Sequence, residues 1–385
     1  MVQVDKDRLD VRIRQALTTW KKIDETDIAI LEGLSMIGPR NLALIAKQLG
    51  LPASTIRFRV RRMISNSILF LHLNPYHTNM GLKKVVLFIE AVPGFEDLLL
   101  KCLKIVDFWI QLFRIYRPYE GCGGVWTIPK ENVEDFSSFL KSLQDRGIAK
   151  SIEAHWSTCF QGVPVRKRWY SEGEGSWGFN WEEWANELET IQGELPYTLV
   201  EPEDWPIKAD YIDLLIIKEL EIDGRATLNY ISKKLNQPLP KIKYHFYNHV
   251  LKQGLVEDYQ VEIYRFPFPV CELLFFKFEF DEYDKMVKFA LSLLDKPFAI
   301  FMGKVLGENS LISQIYMPKW EFRKFVHTLS ILIRRGFMKK YRYFIEDMYQ
   351  TWRETIPYQH FKDGRWNYDN NKHHEELNNI LEKMS

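Results

Sequence analysis

Between Ile23 and Met63 apolar residues recur at helical spacing in three short runs. Ile28, Leu31 and Leu34 share one face of a first helix, which Gly38-Pro39 ends. A second run, NLALIAKQL from Asn41, leads into the tight turn Gly50-Leu51-Pro52. The third, STIRFRVRRM, sets Ile56, Val60 and Met63 on one side and offers Ser54 as its cap. Three short helices joined in this way predict a helix-turn-helix, and the β-branched and apolar stretch from Ile68 to Leu73 predicts its wing.

From 82 to 156 the period changes. LKKVVLFIEAV reads as a strand, FEDLLLKCLKI as a helix, FWIQLFRIY and GVWTI as strands, ENVEDFSSFLKSL as a helix and IAKSIEAHW as a strand. The order β-α-β-β-α-β is ferredoxin-like: one antiparallel sheet with two helices on one face. The bare face needs a cover, and a second such sheet is the natural one.

The same pattern then returns. Asp24 and Asp27 recur as Asp210 and Asp213, Pro129 as Pro318, Gly147 as Gly336, and Gly175, Trp177 and Phe179 as Gly364, Trp366 and Tyr368. The register stays constant at 186 and then 189 residues, which predicts a tandem duplication. The expected fold is α+β: two winged helix-turn-helix domains, each followed by a ferredoxin-like βαββαβ domain. Its parts are an N-terminal helix (1–20), winged helix 1 (21–78), ferredoxin-like domain 1 (79–157), an aromatic-rich linker (158–205), winged helix 2 (206–264), ferredoxin-like domain 2 (265–350) and a tail (351–385). In the leader, Leu9, Ile13, Leu17 and Trp20 make a docking face. The linker is expected to pack its aromatics on the preceding domain, while its Arg166, Lys167 and Arg168 could touch a phosphate.

Composition narrows the function. Over 385 residues the formal charge is only +1, so any hold on nucleic acid must come from a local patch. Cys102, Cys122, Cys159 and Cys271 are too scattered for a disulfide framework or a zinc site. The charged N-terminus and the lack of a long apolar run predict a cytoplasmic chain with no membrane partner.

The patch is on the third helix. Thr55, Arg57, Phe58, Arg59, Arg61 and Arg62 face outward, with no acid between Ser54 and Met63. Arginine suits a reader because its planar fork can bond a guanine edge while neighbouring arginines neutralise phosphates. In the second copy PKIKYHFYNHVL takes this place. There Ile242, Phe246 and Val250 face inward, and Lys241, Lys243, Tyr244, His245, Asn248 and His249 outward. Its lysines give point-charge contact only, so it is read either as a weak DNA reader or as a structural partner. His245 and His249 stand four apart with no third ligand near in sequence, so no metal is expected there, nor at His373-His374.

The chain resembles the Lrp/AsnC (feast/famine) regulators. The resemblance rests on D-x-x-D-x-x-I-L at Asp24 to Leu31, on Arg40 before the second helix, and on A-K-Q-L-G-L-P-A-S-T-I-x-x-R-V-x-R-M from Ala46 to Met63. It implies a winged helix that reads double-stranded DNA and paired sensor domains, often with a small effector, typically an amino acid, between them. Where that family's sensor turn often runs Gly-x-x-Asp, this chain has Gly121-Cys122-Gly123-Gly124 and Gly307-Glu308-Asn309-Ser310, which speaks against the usual effector. Gly121, Gly123 and Gly124 are read instead as a hairpin needing positive φ.

The expected function is therefore a sequence-specific DNA-binding transcription regulator, not an enzyme and without a cofactor. Its two halves would form an intrachain pseudo-dimer, open to further homodimerisation. The DNA-contacting set is Arg40, Ser54, Thr55, Arg57, Phe58, Arg59, Arg61 and Arg62, with Lys241, Lys243 and Tyr244 from the second copy. Siroheme decarboxylases are similar in architecture, and Arg114, Tyr116, Arg117 and Tyr119 lie about where such enzymes place tetrapyrrole-handling residues. That alternative stays beside a third, a non-specific architectural DNA binder.

Overall fold

The computed structural model describes residues 23–66, 68–171, 176–263 and 270–383. The leader, with its expected docking helix, lies outside the described residues.

The first winged helix comprises α1 (Glu25–Ile37), α2 (Leu42–Leu49) and α3 (Ala53–Ser65), followed by β1 (Leu69–Pro75). Asp24 and Asp27 form a reciprocal capping box at the start of α1, and Gly50 takes the left-handed conformation that ends α2. Ser54 does not cap α3. The N-cap is Pro52, which makes no side-chain cap bond, and Ser54 falls inside the first turn. Proline sets φ for helix entry two residues earlier than the hydroxyl would.

Ferredoxin-like domain 1 runs β2 (Leu82–Ala91), α4 (Glu96–Leu103), β3 (Trp109–Arg117), β4 (Gly121–Pro129), α5 (Val133–Asp145) and β5 (Ala149–Ser157), continuing to the short β6 (Gln161–Gly162). After the linker helix α6 (Trp181–Glu187), the second winged helix has α7 (Tyr211–Ile222), α8 (Leu228–Lys234), α9 (Leu239–Tyr244) and β7 (Val256–Ile263). Domain 2 has β8 (Cys271–Glu279), α10 (Tyr283–Leu293), β9 (Ala299–Lys304), β10 (Ser310–Pro318), α11 (Lys319–Arg334) and β11 (Lys340–Arg353), and α12 (Asn370–Glu382) ends the described chain.

Neither wing strand pairs within its own copy. β1 and β7 form an antiparallel ladder with each other, Leu69 opposite Ile263 and Leu73 opposite Tyr259. The two sheets likewise join edge to edge in the order β5-β2-β4-β3-β11-β8-β10-β9-β6. The row also closes at its far end, where β6 pairs with β9 and Ser157 bridges to Val305. Closure removes the exposed edges that an open sheet must protect.

Between the facing sheets alternate residues of both copies make an aromatic core. Phe88 stacks on Phe344 with ring centroids 3.8 Å apart, Phe113 on Phe275 at 5.0 Å, and Phe160 on Phe301 at 4.4 Å. Their other faces pack under α4 and α5 in one copy and under α10 and α11 in the other.

Two expectations are corrected here. Gly121, Gly123 and Gly124 are strand residues of β4, and none has positive φ. A Cβ on Gly121 would stand 1.9 Å from the Ile89 carbonyl oxygen, and one on Gly123 2.3 Å from the Phe113 ring. These glycines serve close approach, not a turn. The aromatic linker, in turn, does not cover the preceding domain. Trp181, Trp184 and Leu188 pack into the core of domain 2, while Tyr368 and Leu377 of the tail pack into that of domain 1. Each copy's tail crosses to the other, as in a swapped dimer, and spacing along the chain carries no sign of which copy a helix will cover.

Candidate functional site

Helix α3 divides into a bound side and a free side. Arg59 donates to Asp24 at 2.8 Å and to Asp27 at 3.0 Å, and Arg62 also donates to Asp27, whose side chain is wholly buried. Burial raises the Asp24 carboxyl, but hydrogen bonds from Arg59 and the Asp27 backbone outweigh it and hold the group below its ordinary value. These two arginines fasten α3 to α1. On the solvent side Arg57, Phe58 and Arg61 are exposed, Phe58 by 66%, and neither arginine makes an ion pair with a described residue. Ser54 is exposed beside them and Thr55 is half-buried.

Arg40 is also committed elsewhere. Its guanidinium donates to the Ala226 carbonyl at 3.0 Å and lies 4.7 Å from the centre of the Phe246 ring. It therefore ties winged helix 1 to winged helix 2. Gly224 N–H to the Leu71 carbonyl at 2.8 Å and Asn74 to Asp258 at 2.6 Å add to this junction. The two winged helices are one packed unit.

On the corresponding helix of the second copy Lys241, Lys243 and Tyr244 are exposed as expected, and so is Tyr247. His245 and His249 are not. His245 is buried and His249 half-buried, and both turn onto Asp210 and Asp213. A π-helical turn over His245–Leu251 changes the phase that a 3.6-residue period assumes.

Where the β1–β7 ladder meets the sheets, polar groups from distant parts of the chain converge around buried His77 and Lys84. His77 is only 2% exposed and neither ring nitrogen has a hydrogen-bond partner. Burial, and then the charge of Lys84, press its basicity well below the usual histidine range. The Lys84 ammonium lies over the Phe160 ring, 4.1 Å from its centre. Glu257 turns a carboxyl oxygen inward with no partner, and burial lifts this carboxyl well above its ordinary range. Asp258 beside it is pushed up to about 6 and Glu221 to about 8 by the same cause. Thr78 contacts the Cys159 sulfur at 3.5 Å, and Tyr197 donates to the Glu257 carbonyl at 3.1 Å. Unpaired buried polar atoms are rare, and groups with displaced proton affinities collect where chemistry is done. The residues come from five separate segments, 77–84, 159–160, 197, 221 and 257–258, so no motif could announce them.

Arg114, Tyr116, Arg117 and Tyr119 are not gathered into a cavity. Arg114 pairs with Asp97, Tyr116 donates to Asp347 at 3.0 Å, Arg117 is exposed, and Tyr119 packs on Phe344. A cavity of about 200 Å³ lies between Lys104, Asp107, His360 and His373, and one of about 220 Å³ between Trp177, Phe179, Trp181 and Trp320. Both are smaller than the roughly 300–1,000 Å³ of ordinary ligand pockets. No helix among the described residues is long and apolar enough to cross a membrane.

No family profile and no curated protein sequence matches the chain. Solved structures do. The siroheme decarboxylase NirDL matches 94% of this chain and 99% of its own, with a TM-score of 0.52 at 9% identity. A second structure of NirDL, in co-complex with an iron-uroporphyrin III analogue, covers 94% of this chain with a TM-score of 0.49 at 10% identity. AsnC of E. coli covers 35% of this chain and 91% of its own, with a TM-score of 0.28 at 19% identity. At such identities the likeness is one of fold. It overturns the expectation that the chain is not an enzyme, because the fold it shares over 94% of its length is also that of an enzyme. Paired winged helices with paired ferredoxin-like domains do not by themselves mark a regulator.

Proposed function

We propose that this chain binds double-stranded DNA through two unequal reader helices held in one rigid double winged helix. The observation that carries the reading is the solvent face of α3. After Arg59 and Arg62 are spent on Asp24 and Asp27, Arg57, Phe58 and Arg61 still face outward together, without an acidic partner. Lys241, Lys243, Tyr244 and Tyr247 extend a weaker face of the same kind on the second copy. Arg40, Arg59 and Arg62 leave the contact set and become the braces of the readers. Sequence-specific transcription regulation is the finer form of this proposal. Titrating labelled duplexes at several salt concentrations tests it: Arg57→Ala with Arg61→Ala should weaken binding at least about tenfold and lower the salt slope by roughly 1–2. Unchanged affinity and slope would remove the reading.

A second reading, an enzyme acting on an iron tetrapyrrole, has its own support. The fold likeness to NirDL over 94% of the chain is one part, and the cluster of buried His77 and Lys84 with half-buried Glu257 and Asp258 is the other. A buried, unpartnered imidazole and carboxyls of raised proton affinity, all within the influence of Lys84, are suited to general acid–base work. A visible-absorption titration of the full chain with iron-uroporphyrin, repeated for His77→Ala, tests this reading independently of the reader variants. The Soret band should shift with the wild type and less with the variant; no shift with the wild type would end it.

A further inference from the structure

The two copies treat the same pair of carboxylates differently. In copy 1, Asp24 and Asp27 are met by the guanidinium groups of Arg59 and Arg62. In copy 2 their counterparts, Asp210 and Asp213, are met by the imidazoles of His245 and His249. His245 follows Arg59 at the same 186-residue offset that relates the aspartates. His249 does so only because the helix departs from α-helical form. The buried residues Ile56 and Val60 correspond to Ile242 and Phe246 at an offset of 186, but Met63 corresponds to Val250 at 187. The π-turn inserts one residue between them and rotates His249 into the place of Arg62. Such turns are rare and are frequently found at functional sites.

The resulting set has the dimensions of a coordination shell. The four donor atoms all lie within 4.8 Å of one another. His245 Nδ1 stands 2.9 Å from an Asp213 oxygen and 3.3 Å from an Asp210 oxygen, and His249 Nδ1 stands 3.2 and 3.6 Å from the same two groups. In a tetrahedral zinc shell with bonds of about 2.0–2.1 Å, neighbouring donors are roughly 3.3 Å apart. The carboxylates are already oriented. Asp210 Oδ1 accepts the Ile212 and Asp213 amides and leaves Oδ2 to face both imidazoles; Asp213 Oδ2 accepts the Asp210 amide and also faces His249, while its Oδ1 faces His245. Two guanidinium groups are always charged, whereas a neutral imidazole leaves two carboxylates uncompensated. One divalent cation restores the balance. Two nitrogens among four donors favour a zinc-class ion over calcium or magnesium, which prefer oxygen alone.

We propose that Asp210, Asp213, His245 and His249 bind a zinc-class divalent ion that clamps the second reader helix to α7, as Arg59 and Arg62 clamp the first. The sequence view found no third ligand because the aspartates stand 32 residues or more before the histidines. The test uses the full chain, stripped with a chelator and titrated with Co²⁺ and then Zn²⁺. The wild type should take up one equivalent of Co²⁺ with visible bands of tetrahedral strength, which Zn²⁺ displaces. H245Q with H249Q should lose those bands and weaken zinc binding by more than the roughly 10–100-fold cost of losing an outer-shell partner. His249→Arg, which copies the first winged helix, should keep the fold and also lose the ion. A wild type that takes up no metal, or that binds it no better than His249→Arg, overturns the proposal.

Discussion

Glu153 and Arg342 occupy the same position in the two copies, 189 residues apart, and pair with each other at 2.9 Å. The strand register confirms the correspondence, since Phe88 lies opposite Glu153 and its counterpart Lys277 opposite Arg342. Equivalent positions touch only beside a two-fold axis. In a homodimer such a contact would bring like charges together; a fused chain is free to make them opposite. In this chain the two equivalent positions carry opposite charges and form an ion pair.

Arg342→Glu should therefore recreate the homodimer's problem. The pair is partly exposed, so Arg342→Ala should cost only about 0–1 kcal/mol, and the charge reversal more. His155, followed by Arg342, holds the Glu153 carboxyl below its ordinary value despite burial. Its contribution is present above the unfolded carboxylate value and is lost as pH falls through the lowered folded one. Urea midpoints of wild type and Arg342→Glu at neutral and acidic pH would show this, the gap closing in acid.

Arg59→Ala and Arg57→Ala should separate support from recognition. The first removes one of the two arginines paired with buried Asp27, Arg62 staying in place, and should cost roughly 1–3 kcal/mol. The second touches nothing buried and should stay within about 0.5 kcal/mol while weakening DNA binding. Denaturation and duplex titration on the same two proteins would check both halves.

Gly121→Ala should be severely destabilising although alanine suits a strand no worse than glycine. The added carbon meets the backbone oxygen of Ile89, which cannot turn aside as a side chain can. A loss of at least about 1–3 kcal/mol is expected. Gly147→Ala meets no atom but sits at a φ of 69°, so its penalty should be one of backbone strain alone. Thermal melts of the two variants would differ accordingly.

Glu346 gives a pH dependence of opposite sign. It is buried between the sheets, accepts from Gln111, Gln314 and Thr351, and burial pushes its carboxyl up to about 7. The folded state holds this proton where the unfolded state has released it, so stability falls as pH rises from the ordinary carboxylate range to about 7. Glu346→Gln cannot ionise and should flatten that part of the profile. The Gln314 carbonyl oxygen, buried and unpaired, gives the new amide a partner once Gln314 flips. Urea midpoints between pH 4 and 8 would reveal a slope lost in the variant.

Much of this architecture was legible because it is local. Apolar spacing located the helices of the first winged helix and the strands of the first sheet, and the constant repeat register carried them over to the second copy. The candidate sites were legible only in part. Four arginines on α3 were visible as a stripe, but charge alone could not tell Arg59 and Arg62, aimed at buried aspartates, from Arg57 and Arg61, aimed at solvent. His77, Lys84 and Glu257 carried no signal, since their meeting depends on the ladder between two wings.

The sequence by itself determined the duplication, the type of each element and the imbalance between the two readers, because these follow from periodicity and residue chemistry within short stretches. Tertiary structure decided which tail covers which core, which arginines remain free, and that two histidines meet two aspartates. Those outcomes are set by contacts between residues far apart in the chain, and by a single π-turn that no average helical period contains.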